Sequence, residues 1–198
     1  MAYKSKREER KKETLETIRT VVDRLVEEKG FEDMTMREIC AESGIGLSTF
    51  YNYFSSKDDL LFDRYHRLNT MVAQLSEEEL AWLSPPDALK RLMSYMIENI
   101  RTRVFDMLLN YHQKELRHVQ EWYRKEPYCL FQVIDDIVKR GIEDGEFRPD
   151  LDREWVRGYL WFLINGCTTM QCMTEEEFLK DSRMEREVER WIDSLRVS

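Results

Sequence analysis

The stretch TMREICAESGIGLSTFYNYF, Thr35 to Phe54, decides how this chain is read. Thr35 followed three residues later by Glu38 is a capping box, a mark of a helix start. Met36, Ile39 and Cys40 then make the buried face of a short helix, which Ser43 and Gly44 close. Ile45 and Gly46 follow, and the pattern predicts a second short helix over Leu47–Phe54. Phe50 and Phe54, four residues apart, anchor that helix to a core. Ser48, Thr49, Tyr51, Asn52 and Tyr53 are left facing outward. Two short helices joined by a tight glycine-containing turn form a helix-turn-helix. In that motif the second helix enters the major groove of DNA and the first holds it on the backbone. Hydroxyls, an amide and aromatic rings are suited to phosphates, base edges and thymine methyls.

Working outward, a first helix is predicted over Glu8–Glu28, because Leu15, Ile18, Val21, Val22, Leu25 and Val26 recur at helical spacing before Gly30. Downstream, a longer helix begins near Ser56, with Leu60, Leu61, Tyr65, Leu68, Met71, Val72 and Leu75 as its stripe. Ser84-Pro85-Pro86-Asp87 is the clearest break. After it, helical patterns run from about Pro86 to Ile100, Val104–Tyr123, Tyr128–Glu143, Leu151–Met173 and Glu175–Val197. The fourth of these is apolar around most of its circumference, which predicts burial on more than one side. Only 7 Gly and 4 Pro occur in 198 residues, so the fold class is all-α. The expected division is a three-helix DNA-binding domain at 1–62 and a larger helical domain at 63–198.

Net charge is −8, which taken alone argues against nucleic acid, but the charge is unevenly placed. Residues 1–57 balance at 11 basic and 11 acidic, and residues 1–12 hold six of the basic ones. The whole excess of acid lies beyond residue 57, in a part that should point away from phosphates. No run of about 18 apolar residues suggests a membrane span, and the charged N-terminus does not read as a secretory signal. Cys40, Cys129, Cys167 and Cys172 lack paired zinc spacing and suit a reducing cytoplasm. Cys167 and Cys172 point different ways on a helix, so redox sensing is a minority reading beside that of small hydrophobes. His66, His112 and His118 show no metal spacing. No nucleophile–base pair, phosphate loop or metal site is legible, so neither an enzyme nor a cofactor is expected.

The run from Phe31 through Leu60 resembles the DNA-binding domain of the TetR family of bacterial regulators. Ala41, Gly44, Ile45, Thr49, Tyr51, Tyr53, Phe54, Lys57, Asp58 and Leu60 carry the resemblance, which is specific over about residues 8–62. It implies a chain of about nine helices that works as a homodimer on a palindromic operator, most simply a repressor released by a small effector. It also implies DNA contacts from Thr35, Arg37, Gly46, Leu47, Ser48, Thr49, Tyr51, Asn52, Tyr53 and Lys57, with Thr35 and Lys57 on phosphate and the basic tail on backbone or minor groove. Two departures stand out. Gly46 replaces the usual serine cap, and Leu47 stands where a polar or basic residue is common. With no Arg or Lys aimed at guanine, modest affinity or a site read partly by DNA shape is expected.

In the remainder, Met93, Tyr95, Met96, Tyr111, Trp122, Phe131, Trp161 and Phe162 as a cluster suit an apolar or aromatic effector cavity, although each taken singly reads first as core. Trp155, Tyr159, Gly166, Met170, Trp191 and Leu195 are the candidates for a dimer interface in the last two helices. Two rivals keep the fold: a ligand-independent DNA-binding regulator with a filled core, and a module that acts through a protein partner.

Overall fold

The computed structural model describes residues 2–100, 129–173 and 182–197. Helix α1 spans Ala2–Lys29, so the basic tail continues the first helix instead of forming a separate arm. Gly30, at φ 83°, ends it by donating its N–H to the Val26 carbonyl at 2.8 Å. A left-handed residue is the usual way to stop a helix, and glycine adopts it without a side-chain clash. Helices α2 (Met36–Glu42) and α3 (Leu47–Phe50) follow, then α4 (Asp59–Glu78) and a 3₁₀ turn at Leu80–Trp82. Helix α5 covers Pro85–Ile100, α6 Cys129–Glu143, α7 Arg153–Met173 and α8 Arg183–Asp193. The predicted helix at 104–123 and the first turns of the last one lie outside the described residues.

Two hydrophobic cores form, and α4 serves both. Ile18, Val22, Leu25 and Val26 of α1 close over Phe31, Met34, Ile39, Phe50 and Phe54, with Leu60 and Leu61 from the start of α4. From Leu68 onward the same helix joins a second core with α5, α6, α7 and α8. Met71 departs from the predicted stripe and is exposed, because it projects to the solvent side of α4. Helix α5 is opened by Ser84, whose hydroxyl accepts from the Asp87 N–H at 3.4 Å and donates to its carboxylate at 2.6 Å.

The second core is fastened at one end by the turn after α6. Phe147 is fully buried, and its ring lies where a Cβ on Gly141 would sit, 2.1 Å from the nearest ring atom. The Arg148 N–H donates to the Leu195 carbonyl at 3.0 Å, and the Val197 N–H donates to the Glu146 carbonyl at 3.2 Å. These bonds tie the end of α8 to the α6–α7 turn. Arg140 donates to the carbonyls of Leu80, Ala81 and Leu83 at 3.0 to 3.2 Å, fastening α6 to the short 3₁₀ turn.

Candidate nucleic-acid interface

The start of α2 is held by a complete capping box. The Glu38 N–H donates to Thr35 Oγ1 at 3.3 Å, while Glu38 Oε2 accepts from the Thr35 N–H at 2.9 Å and from its hydroxyl at 2.7 Å. Lys29 Nζ donates to the other carboxylate oxygen at 2.5 Å. These bonds, Lys29 first, pull the Glu38 carboxyl down to about 2. Thr35 is thus at the surface with its hydroxyl proton already engaged, and Arg37 is exposed beside it.

Helix α2 ends in a Schellman turn. Ser43 is the cap, Gly44 stands at φ 66°, and the N–H groups of Gly44 and Ile45 return to the carbonyls of Ala41 and Cys40. Gly46, extended at φ −79° and ψ 156°, begins α3 without a side-chain cap bond. The regular helix is shorter than the predicted 47–54. After Phe50 the chain tightens into three-residue bonds, Asn52 N–H to Thr49 and Tyr53 N–H to Phe50, before Phe54 reaches the core. Phe50 and Phe54 are both buried, with ring centroids 5.5 Å apart, and the three-residue bonds are a common way for a helix end to satisfy its last carbonyls.

The outward face of this segment is built from Leu47, 44% exposed, Ser48, Tyr51, 46% exposed, and Asn52. Tyr51 is steadied by an edge contact on Phe50, ring centres 6.0 Å apart. Thr49 and Tyr53 are half-buried and turn toward α1. There they meet a feature that the residue-by-residue reading missed. Arg7, Arg10, Lys11 and Thr14 of α1 line an open groove of about 530 Å³ together with Thr49, Asn52 and Tyr53. The signal was present as spacing i, i+3, i+4, i+7 on one helix face, but only a helical tail aims those positions at α3.

Lys57 sits at the start of α4, as expected, but the chain itself engages it. Its Nζ donates to the Glu32 carbonyl at 2.8 Å and lies 4.6 Å from the centre of the Phe31 ring. Behind the interface, α1 and α4 are clasped by paired charges. Arg19 grips Asp63 through two bonds at 2.5 and 3.0 Å, and Arg67 grips Asp23 through two at 2.9 and 3.0 Å. Arg67 Nε also approaches Asp63 at 3.2 Å.

The residues proposed for effector binding and dimerisation divide differently. Met93 and Met96 are fully buried, and Phe131 meets Trp161 edge-on at 5.3 Å against the same core. Phe162 does not join them: it is 68% exposed on the opposite side of α7, a correction to its assignment as cavity lining. Tyr111 and Trp122 lie outside the described residues. Trp155 stacks on Tyr159 at 5.3 Å, and Tyr159 packs on Trp191 at 4.3 Å. Met170 is exposed and Gly166 half-buried. Leu195 is corrected as well, because its side chain is buried in the chain's own core and cannot face a partner. Burial raises the Cys167 thiol to about 11, which keeps it protonated and unreactive. Among the described residues no group of three His, Cys, Asp or Glu could hold a metal, and no helix is long and apolar enough to cross a membrane.

Comparison with known proteins matches both halves. Residues 21–63 fit the profile of bacterial regulatory proteins of the tetR family, and residues 65–190 fit the YsiA-like protein C-terminal region. The HTH-type transcriptional regulator SAB2452 of Staphylococcus aureus is 29% identical over 134 residues, 65% of this chain and 72% of the relative. The HTH-type transcriptional repressor KstR2 of Mycobacterium tuberculosis is 25% identical over 173 residues, 73% of this chain and 78% of the relative. The fold is shared with the fatty acid degradation regulator FadR from Bacillus halodurans, at a TM-score of 0.73 and 15% identity over 89% of this chain and 93% of that one. It is also shared with FadR from Bacillus subtilis in complex with stearoyl-CoA, at a TM-score of 0.63 and 18% identity over 91% of this chain and 98% of that one.

Proposed function

We propose that this chain, which belongs to the tetR family of bacterial regulatory proteins, is a homodimeric repressor that binds a palindromic operator and is released by a small apolar or aromatic effector. The observation that carries DNA binding is the outward face of α3. Leu47, Ser48, Tyr51 and Asn52 stand exposed on a segment whose own anchors, Phe50 and Phe54, are buried. Such a face combines groups that bond base edges with apolar surface for thymine methyls. Thr49 and Tyr53 extend the contact toward α1, while Thr35, Arg37, Gly46 and Lys57 flank it. Two copies with recognition helices about 34 Å apart would occupy successive major grooves.

Dimerisation is supported by the second apolar face of α7. Val156, Leu160, Ile164 and Cys167 fill the core. Trp155, Tyr159, Phe162, Gly166 and Met170 recur at i, i+4, i+7, i+11 and i+15, a stripe on the other side. Phe162 belongs to this stripe, with Trp191 of α8 beside Tyr159. For release, α4 is the lever, since it takes part in both cores. An effector that prefers one helix arrangement shifts the population by its differential affinity, typically about 1–3 kcal/mol. Because a similarly folded protein has been solved with stearoyl-CoA, a long-chain acyl thioester is the first effector to test. Unchanged DNA affinity across a panel of apolar ligands would favour a ligand-independent regulator.

The test begins with selection of genomic fragments by the purified chain, then gel shift of the recovered duplex with wild type and Tyr51→Ala. A palindromic site bound by wild type and lost in the variant is the expected result. A folded dimer that enriches no site at low salt overturns the reading and leaves a protein-partner module.

A further inference from the structure

We infer that Arg64, on α4 where the two cores meet, binds an anionic group of the effector, a carboxylate or a phosphate. The inference rests on the proposed effector response and adds to it an acidic head group and the residue that holds it.

Arg64 continues the apolar stripe of α4. Leu60 and Leu61 enter the N-terminal core, and Leu68, Val72 and Leu75 enter the second one. Position 64 lies four residues from Leu60 and Leu68 and three from Leu61, so it falls on the same helix face between them. Periodicity predicts an apolar residue at that place, yet an arginine is half-buried there. Its aliphatic stem suits the position, but its charge is not neutralised locally. Asp23 and Asp63 are the aspartates that act on it, and both are engaged elsewhere. Asp23 accepts two bonds from Arg67, at 2.9 and 3.0 Å, and Asp63 two from Arg19, at 2.5 and 3.0 Å. Glu16, the other acid on Arg19, lies out at the surface. Three arginines, Arg19, Arg64 and Arg67, therefore stand against two aspartates at this junction, and Arg64 has no hydrogen bond or ion pair among the described residues.

Burial pushes the Arg64 guanidinium below the ordinary arginine value, because the attraction of Asp23 does not offset the lost water. A desolvated cation without a partner is costly, and an incoming anion relieves that cost through charge-assisted bonds to the guanidinium fork. Tyr95 of α5 also acts on Arg64, and its ring packs against the second core. Arg64 is thus within electrostatic reach of the core in which Met93 and Met96 of the same helix α5 lie buried. An effector whose apolar part enters that core brings an acidic end to Arg64. The contact bears on α4 itself, the helix common to both cores, so an anion held in one arrangement of α4 and not in the other shifts the population.

The experiment titrates the full-length chain, as wild type and as Arg64→Gln, with dodecanoate, dodecanoyl coenzyme A and the neutral dodecanol, each below its micelle concentration, and reads binding by calorimetry. Arg64→Gln should weaken an anionic probe about 10- to 100-fold, the worth of bonds to a charged group. Its affinity for dodecanol should stay as in wild type. A loss confined to dodecanoate identifies the anion as a carboxylate, and a loss confined to the thioester identifies it as a phosphate. Without ligand, Arg64→Gln should melt close to wild type, since no bond within the chain is removed. Equal losses for dodecanol and the anions overturn the anion site. So does an unchanged affinity for both anions, and so does an unliganded variant that melts several degrees lower, which would make Arg64 a structural support. If wild type binds dodecanol and neither anion, the effector response stands and the anion site falls. If wild type binds none of the probes, the acyl effector itself fails and the inference falls with it.

Discussion

The two cores of this molecule are held by different means. The N-terminal core is small and is surrounded by polar punctuation: a capping box, a Schellman turn, and bidentate ion pairs between α1 and α4. The C-terminal core among the described residues is larger, draws on five helices, and keeps its polar fastenings, Arg140 and the Arg148–Leu195 bond among them, at its ends. The contrast follows from surface-to-volume scaling, since a short domain buries less apolar area per residue and depends more on each defined contact. It follows too from the proposed task. A recognition segment must sit at one orientation, whereas a core that responds to an effector needs packing that can shift.

The largest expected effects come from removing one buried ring in each core. Phe50→Ala and Phe147→Ala should each cost about 3–5 kcal/mol, since both rings are fully buried. Hydrogen exchange should show protection lost in α1–α3 for the first variant while α6–α8 stay protected, and DNA binding should vanish. For Phe147→Ala protection should fall first around Gly141 and Leu195. If either variant unprotects both regions equally, the two cores form one cooperative unit and the contrast is void.

The α1–α4 clasp comes next. Asp63 is held by Arg19 and approached by Arg67, and all three side chains are mostly shielded. Asp63→Asn should cost about 2 kcal/mol, between an exposed pair and a fully buried one. A urea titration should show a lower midpoint at unchanged slope. Arg19→Met added to Asp63→Asn should cost less than the sum of the two, because both report on one contact. Full additivity would show the pair to be inert.

Acid provides a milder probe. The Glu38 carboxyl is held at about 2 in the fold by Lys29 and Thr35, against an ordinary 4.5. A depressed folded value means its contribution is present above about 4.5 and is lost as pH falls through about 2. Thermal melts over that window should fall less steeply for Glu38→Gln than for wild type. Parallel curves would remove the capping box from the set of supports that distinguish the N-terminal core.

Legibility in the sequence tracks the same contrast. Thr35, Glu38, Gly30 and Gly44 are local signals, because caps and left-handed turns are set by a few neighbouring residues, and the structure places each as expected. The helix over 47–54 ran too long because the same apolar spacing fits a regular helix and the turns that follow Phe50, and helix ends are set by one or two bonds. Met71 and Phe162 were misplaced for a related reason. Periodicity says that a residue lies on an apolar stripe, but not which of two stripes faces the chain's own core. α7 carries two. The groove beside α3 escaped notice because Arg7 and Thr49 are distant in sequence and meet only through the packing of α1.

Gly46 is where the punctuation is incomplete, and it yields the smallest expected change. It caps α3 with no side-chain bond, although its backbone is extended and open to any residue. A Cβ there would meet only Ser48 Oγ, at 3.9 Å. Gly46→Ser therefore adds a hydroxyl for the free N–H groups of the first turn and restricts the unfolded chain, a gain of about 0.5 kcal/mol. For a chain of this size that is a rise in Tm of about 1–2 °C. Calorimetry and gel shift on one preparation separate two reasons for the glycine. A higher Tm with unchanged DNA affinity makes Gly46 simply a cap position left unfilled. A higher Tm with weaker binding means that DNA approaches the backbone too closely for a side chain, so the missing cap of α3 lies at the point of contact.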